Sequence, residues 1–337
     1  MGTNSAWLET MREEPIAPDL PICDAHHHLW GFRQGAIEPR YLIEDVMADI
    51  RSSGHNIVST VFVEAKAMYR ADGPEHMKAV GEIEFVNGVA AMAASKLYGE
   101  ARIASAIIGH TDLARGERAG EVLDAMIEAA PHRFRGIRHT ATSDPDPVVM
   151  EHRKAAPGLQ ASKSYRDGVR ELGKRKLVFE AWCFHTQLPE LTDLARALPE
   201  TTIVLDHIGG PIGTGAYAAK RNEVFDVWKK NTAELATCPN VFMKLGGIFM
   251  VLGGFGWHLR PQPPTSDELA AAARPYVEPL IETFGPERCL FESNFPVEKV
   301  SCGYGVLWNA FKKIAAGYSA SEQAKLFHDT AVKAYRL

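Results

Sequence analysis

The chain is poor in the features that mark membrane, nucleic-acid-binding or disulfide-bonded proteins. None of its apolar runs approaches the ~18 residues that a membrane-spanning helix needs. Among 337 residues, 37 Lys and Arg stand against 42 Asp and Glu. The resulting net charge of -5 offers no basic excess to grip a phosphate backbone, so no nucleic-acid or membrane partner is expected. The five cysteines (Cys23, Cys183, Cys238, Cys289, Cys302) are scattered, without a CxxC pair. That argues against a disulfide framework or a structural zinc ribbon and for reduced thiols in a cytoplasmic setting. Residues 1–20 carry Glu9, Glu13, Glu14 and Asp19 and no apolar core, and are expected to form an N-terminal arm rather than a signal peptide.

What is present is a soluble core-forming composition, 46% hydrophobic and 23% charged. Strand-like runs at residues 21–30, 57–64, 101–109, 134–139, 177–185, 202–207, 241–245 and 289–296 alternate with helical segments. Capping boxes at Thr265–Glu268 and Ser319–Glu322 open two of those helices. No linker, repeat or low-complexity tract divides the chain. Eight alternating units predict an α/β fold, a single-domain (β/α)8 TIM barrel over residues 21–337. The rival, a doubly wound open sheet, would place a GxGxxG loop after the first strand, where this chain has histidines. Two long loops stand out: residues 142–162, with His152 and Arg153, and the glycine-rich residues 246–264, with Phe249, Phe255, Trp257, His258 and Arg260.

Polar groups gather at the predicted C-terminal strand ends. His26 and His28 end the first strand, Glu64 the second, and Arg138 and His139 the fourth. His185 ends the fifth, His207 the sixth and Asn294 the eighth, with Lys244 inside the seventh. In an α/β barrel these ends converge on one mouth, the usual location of a catalytic site. Period-two alternation puts His26 and His28 on one face and leaves His27 on the other, outside the chemistry.

The motifs Asp24-Ala25-His26-His27-His28-Leu29-Trp30, Gly136-Ile137-Arg138-His139, His185 with Gln187-Leu188-Pro189, Asp206-His207-Ile208-Gly209-Gly210-Pro211 and Glu292-Ser293-Asn294-Phe295-Pro296 resemble the amidohydrolase superfamily. More narrowly, they resemble its branch of 2-pyrone-4,6-dicarboxylate lactonase and sugar-acid lactonases. The resemblance runs from about residue 21 to the C-terminus and implies a hydrolase of a carboxylated lactone or related cyclic ester. It implies a catalytic set of His26, His28, His185 and His207, completed by an acidic residue at the end of strand eight. There the family's Gly-Ser-Asp-Trp-Pro is replaced, and Asn294 stands where the Asp is expected. A carboxamide cannot take a proton from water as a carboxylate does. Glu292, on the same face one layer deeper, is a candidate replacement base or a buried group paired with Lys244 or an arginine.

Two modes stay open for the carbonyl: a zinc-like divalent metal held by His26, His28 and His185, or direct polarisation by the histidines without metal. Arg138 and His139, with Lys244, Trp257 and Arg260, are the candidate binders of an anionic small-molecule substrate, with residues 246–264 as a lid. The alternatives are a metal-dependent decarboxylase or hydratase of an aromatic or unsaturated acid, and a non-catalytic ligand-binding barrel. Formation of a homo-oligomer is left open.

Overall fold

Short runs rich in β-branched and aromatic residues form eight strands in a computed structural model that describes residues 4–150 and 155–337; His152 and Arg153 lie outside the described residues. The strands are β1 Ile22–His27, β2 Ile57–Val63, β3 Arg102–Gly109, β4 Phe134–Arg138, β5 Val178–Ala181, β6 Ile203–Leu205, β7 Val241–Leu245 and β8 Cys289–Phe291. They form one parallel sheet in sequence order. The sheet closes where Asn294 N donates to His26 O (2.8 Å) and His28 N donates to Phe295 O (2.8 Å). Eight helices follow the strands: α1 Ile43–Ser53, α2 Val80–Ala94, α3 Ala119–Ala129, α4 Lys163–Lys174, α5 Leu188–Ala197, α6 Arg221–Ala236, α7 Ser266–Phe284 and α8 Tyr304–Ala315. This is the (β/α)8 barrel that the alternation predicts.

Each helix buries one face on the sheet. In α1 that face is Ile43, Val46, Met47 and Ile50, at the spacing of a 3.6-residue period. The helix stops at Gly54, whose φ of 66° is cheap only without a Cβ. The Thr265–Glu268 box opens α7 and the Ser319–Glu322 box opens the helical segment that ends the chain. The sequence reading left α8 unassigned, although Tyr304, Leu307, Trp308, Phe311 and Ile314 carry the same periodicity and are buried. The arm before β1 lies along α8. There Ile16 N donates to Asn309 Oδ1 (2.8 Å) and Lys312 Nζ to Ala17 O (2.7 Å).

Inside the barrel, alternation builds two layers of opposite character. Val178, Val204, Phe242 and Leu290 belong to an apolar layer with Val61, Val63, Ala106 and Ile108. Two residues further along the same strands stand Glu180, Asp206, Lys244 and Glu292, all completely buried. The helix Thr330–Tyr335 plugs the apolar end with Ala331, Ala334 and Tyr335. Its Tyr335 hydroxyl reaches the charged layer and donates to Glu180 Oε1 (2.5 Å). Burial pushes the Glu180 carboxyl up to about 8, with Lys244 opposing.

Several predicted strands run too long. β5 ends at Ala181 and β8 at Phe291, so His185 falls in a 3-10 turn and Asn294 in an irregular segment. Positive φ at His207 (54°), Ile208 (51°) and Asn294 (54°) ends the extended backbone just beyond β6 and β8.

Tyr335→Phe removes one buried donor to the charged layer. The expected loss of stability is ~1–3 kcal/mol, read from the urea midpoint at unchanged m-value. An unchanged midpoint would show that this bond contributes nothing to closing the barrel floor.

Candidate active site

A bulge in β1 turns two histidines onto the mouth. Between the β1–β2 pairs Asp24–Thr60 and His27–Phe62, β1 spends three residues where β2 spends two. Cys23 and Ala25 face the barrel interior, and the extra residue reverses the alternation so that His26 and His28 follow them inward. His27 is left to receive the Thr60 hydroxyl at its Nε2 (2.8 Å).

The hydrogen bonds identify the tautomers. His28 Nδ1 lies 2.8 Å from Val63 O, an acceptor, so it carries the proton. His26 Nδ1 lies 2.7 Å from Glu292 Oε2 and 3.2 Å from the Lys244 ammonium, which can only donate. His28 Nε2 therefore presents a lone pair, 3.2 Å from His26 Nε2. Asn294 Oδ1, an acceptor, lies 3.3 Å from His28 Nε2. Burial lowers the pKa of both imidazoles, with Lys244 adding to it at His26 and the His26 ring at His28. His26 Nε2, His28 Nε2 and Asn294 Oδ1 thus converge, a set of ligand-type atoms that fits a cation. Two ligands of a tetrahedral zinc, each at ~2.0–2.1 Å, are separated by about 3.3 Å. Each ring is also held from behind by a carboxylate or carbonyl, the usual support of a metal-ligating histidine. Arg138 Nη1 lies 3.2 Å from His26 Nε2 and competes for it. His26, Asp206 and His207 also place ligand-type atoms within 4.8 Å of one another.

Beneath the pair lies the charged layer. Arg138 donates through Nε to Glu64 Oε1 (3.0 Å), through Nη2 to Glu64 O (2.8 Å) and through Nη1 to Asp206 Oδ2 (3.2 Å). Lys244 Nζ donates to Glu180 Oε2 (2.9 Å) and lies 3.1 Å from Asp206 Oδ1. Burial alone would neutralise such groups. Asp206 nevertheless stays well below the usual carboxylate range, because Lys244 and His26 outweigh its desolvation. Lys244 is raised because Asp206 and Glu180 do the same for the ammonium.

Glu292 links two histidines. Its Oε2 faces His26, and its Oε1 accepts from His207 Nδ1 (2.7 Å) and from His207 N (3.1 Å). Burial pushes its carboxyl up, but His207 and His26 together hold it well below the ordinary range. With Nδ1 protonated toward Glu292, His207 Nε2 keeps its lone pair. The His207 ring packs 4.7 Å from the His26 ring and 4.7 Å from Trp182, centre to centre. It also lines a narrow cleft that extends to Ile248, Met250, Leu252 and Phe255.

Two glycines make room for this pair. A Cβ on Gly246 would come within 2.4 Å of Glu292 Cγ, and one on Gly247 within 2.1 Å of His207 Nδ1. Positive φ at His207, Ile208 and Asn294 costs of order 1–3 kcal/mol per residue and is most unusual for a β-branched side chain such as Ile208.

The structure thus gathers His26, His28, His207, Glu292, Asn294, Arg138 and Lys244. It does not gather the rest of the expected set. His185 stands apart because β5 stops early: its ring packs on Tyr217 (5.4 Å), so the three-histidine ligand set is not assembled. His139 packs between His110 and Tyr165. Trp257 stacks on Phe255 (6.0 Å), and Arg260 pairs with Glu268 (2.9 Å) at the exposed edge. Arg138 pairs with Glu64 and Asp206, and Lys244 with Glu180 and Asp206. The reading missed Asp206 and Glu180, whose signal was period two: each follows an apolar inner residue, Val204 or Val178, on the same face.

The profile of the Amidohydrolase family matches residues 23–337. An uncharacterized protein of Sinorhizobium fredii is 31% identical over 337 residues, covering 95% of this chain and 99% of its own. An L-fucono-1,5-lactonase of Burkholderia multivorans is 26% identical across 71% of this chain and 73% of its own. An amidohydrolase from Burkholderia multivorans, solved with bound zinc, has the same fold at a TM-score of 0.71 and 23% identity, over 94% of this chain and 99% of that one. With a profile match from the first strand to the last residue, this protein belongs to the amidohydrolase family.

Proposed function

We propose that the protein is a hydrolase that opens a lactone or related cyclic ester with water at the barrel mouth. The observation that carries this reading is the Glu292–His207 hydrogen bond, which leaves a neutral imidazole Nε2 as proton acceptor in a ring packed against His26. The 26%-identical fucono-lactonase supports the reaction class. The five buried free thiols support a reducing, cytoplasmic setting.

His207 takes a proton from the attacking water as the new carbon–oxygen bond forms at the carbonyl. Glu292, ionised and hydrogen-bonded to Nδ1–H, stabilises the imidazolium and keeps the ring in the correct tautomer, a positioning role. When the ring ester bond breaks, His207 returns that proton to the departing alkoxide, which leaves as a hydroxyl. The products are a hydroxyl and a carboxylate on one opened chain. His26 and His28, through Nε2, and Asn294, through Oδ1, would hold a zinc-like divalent ion. Such an ion, when bound, supplies Lewis-acid polarisation of the carbonyl oxygen. Arg138 and Lys244 keep Asp206 ionised beneath the pair, and Asn294 orients the water without acting as base.

A pH-indicator assay against a panel of lactones tests the activity. Proton release is expected. Inertness toward every lactone, with carbon dioxide released from an aromatic acid, would replace this reading with a decarboxylase. His207→Asn is expected to lower kcat by roughly 10²–10⁴-fold with KM nearly unchanged. Glu292→Gln, which removes the negative charge beside His207, should fall in the same range. An undiminished kcat in His207→Asn would return the proton to another group.

Elemental analysis of the purified protein is expected to find about one equivalent of a zinc-like ion per chain, lost in a His26→Ala/His28→Ala variant that retains its circular dichroism spectrum. Undiminished metal content in that variant would remove these two residues from the ligand set.

A further inference from the structure

Just past the ends of three neighbouring strands, the mouth carries a second polar cluster. Lys66 follows β2, His110 follows β3 and His139 follows β4, and these strands pair side by side in that order. Arg138 joins the cluster to the histidine pair. Its carbonyl accepts from His110 Nδ1 (3.0 Å), His139 is the next residue, and its Nη1 lies 3.2 Å from His26 Nε2.

The backbone holds these groups in place. Glu82, completely buried on α2, accepts from Ala65 N (3.0 Å) and Ala67 N (2.8 Å), the amides on either side of Lys66. Lys66 itself sits at φ 57°, a conformation that disfavours a side chain and persists only where the surroundings impose it. Its side chain is exposed, and among the described residues no carboxylate pairs with it. The Tyr165 hydroxyl donates to His139 O (2.7 Å), and the Tyr165 ring packs 5.2 Å from the imidazole.

The two imidazoles differ in what they present. His139 Nδ1 accepts from Leu113 N (3.1 Å), so the neutral ring carries its proton on Nε2. His110 donates from Nδ1, and its Nε2 keeps a lone pair. Neither Nε2 has a hydrogen-bond partner among the described residues, and neither is sealed from solvent. Burial lowers both rings, His139 to about 4 with help from His110, and the Lys66 ammonium adds to the lowering at each. Asp112 Oδ1 stands at the Nδ1 edge of His139 (3.9 Å), where it accepts from Ala114 N (3.0 Å).

We infer that Lys66 and the Nε2–H of His139 form an anion subsite, which takes an exocyclic carboxylate of the cyclic ester while the ring carbonyl lies at His26 and His28. The inference rests on the lactone-hydrolase reading and deepens it by naming the substrate class and the residues that select it. An ammonium and a neutral N–H together serve the two oxygens of a carboxylate by charge-assisted hydrogen bonds. Neighbouring strands lie ~4.8 Å apart, so β2 stands one spacing from the histidines of β1. A five- or six-membered ring with its carboxylate, met by the long lysine stem, bridges that gap. His110, an acceptor, gives a carboxylate no hydrogen bond, which leaves Lys66 and His139 as the selecting pair.

The experiment uses the full-length protein and two matched lactones, γ-butyrolactone and the same ring with a carboxylate on its γ carbon. Expected is a kcat/KM roughly tenfold or more higher for the acid, an advantage that shrinks as salt screens the lysine. Lys66→Gln should lower the acid-to-neutral ratio about tenfold, mainly through KM, and Lys66→Glu should lower it further. His139→Asn, which keeps an acceptor for Leu113 N and removes the Nε2–H, should lower the ratio too. Lys96→Gln, the same loss of charge between α2 and β3 at the opposite end of the barrel, should leave it unchanged. A wild-type preference for the unsubstituted ring, or a ratio unchanged in Lys66→Gln or in His139→Asn, would overturn the inference. Should no lactone of any kind be hydrolysed, calorimetry with 5-oxoproline and 2-pyrrolidinone, the lactams of the same two shapes, separates the readings. Binding of 5-oxoproline that is lost in Lys66→Glu would uphold the subsite while the hydrolase reading fails. No binding, or binding unchanged in Lys66→Glu, would overturn the subsite as well.

Discussion

A carboxylate removed completely from water must be matched by donors, and Glu292 accepts from the Nδ1–H and the backbone N–H of His207 and lies 2.7 Å from His26 Nδ1. These contacts join β1, β6 and β8 at the mouth and dictate which nitrogen of each ring faces the ligand. Without them His207 would have no fixed tautomer. The same pairing explains why strand seven ends in two glycines, since any side chain at residue 246 or 247 would strike the carboxylate or the imidazole it holds. A second carboxylate fixes the frame around it. Asp24 accepts from Ser293 N and Oγ and from the Tyr304 hydroxyl, tying β1 to the end of β8 and to α8 where the barrel closes.

Below the histidines, the charged layer solves a separate problem. Period-two alternation on four strands brings Glu180, Asp206, Lys244 and Glu292 into a space sealed by Tyr335 and the apolar layer. Isolated buried charges at this depth would neutralise. Here Arg138 and Lys244 divide themselves among the acids, so Asp206 and Glu292 remain ionised under the site while Glu180 is pushed up to about 8. The result is a set of paired charges beneath the histidines in which Asp206 and Glu292 stay ionised. Arg138 and Lys244 are spent on that task.

Much of this was legible in the sequence because it depends on period and order. Eight alternating units, the displaced aspartate at Asn294 and the convergence of His26, His28 and His207 follow from where polar residues end apolar runs. Strand length was not legible. His185 was assigned to the mouth on the assumption that β5 runs to residue 185, but the strand stops at Ala181 and His185 opens a 3-10 turn. The partner of Glu292 was also beyond the pattern, which offered Lys244 or an arginine. Lys244 lies 3.8 Å from Glu292 Oε2, farther than either imidazole, because Asp206 and Glu180 claim it first. Such choices are made by three-dimensional competition among several groups of like charge, which no spacing along the chain encodes.

The exchange of the family's aspartate for Asn294 is best understood together with its neighbours. Residue 294 sits at φ 54°, a conformation that Asn and Asp both tolerate, so the backbone does not distinguish between them. Charge does. Glu292 lies two residues before, and Glu298, four residues after, is completely buried and pushed up to about 8 by its desolvation and by Glu292. A third carboxylate at residue 294 would repel both and raise its own pKa, losing the ionised form that a base requires. A carboxamide keeps an oxygen beside His28 without adding charge. The carboxylate has in effect moved one layer inward, from a place where it would meet water directly to one where it acts through an imidazole. On this view Glu292 and Asn294 are one change rather than two, since a glutamate at 292 makes an aspartate at 294 costly, and in the mechanism proposed above His207 takes over as proton acceptor.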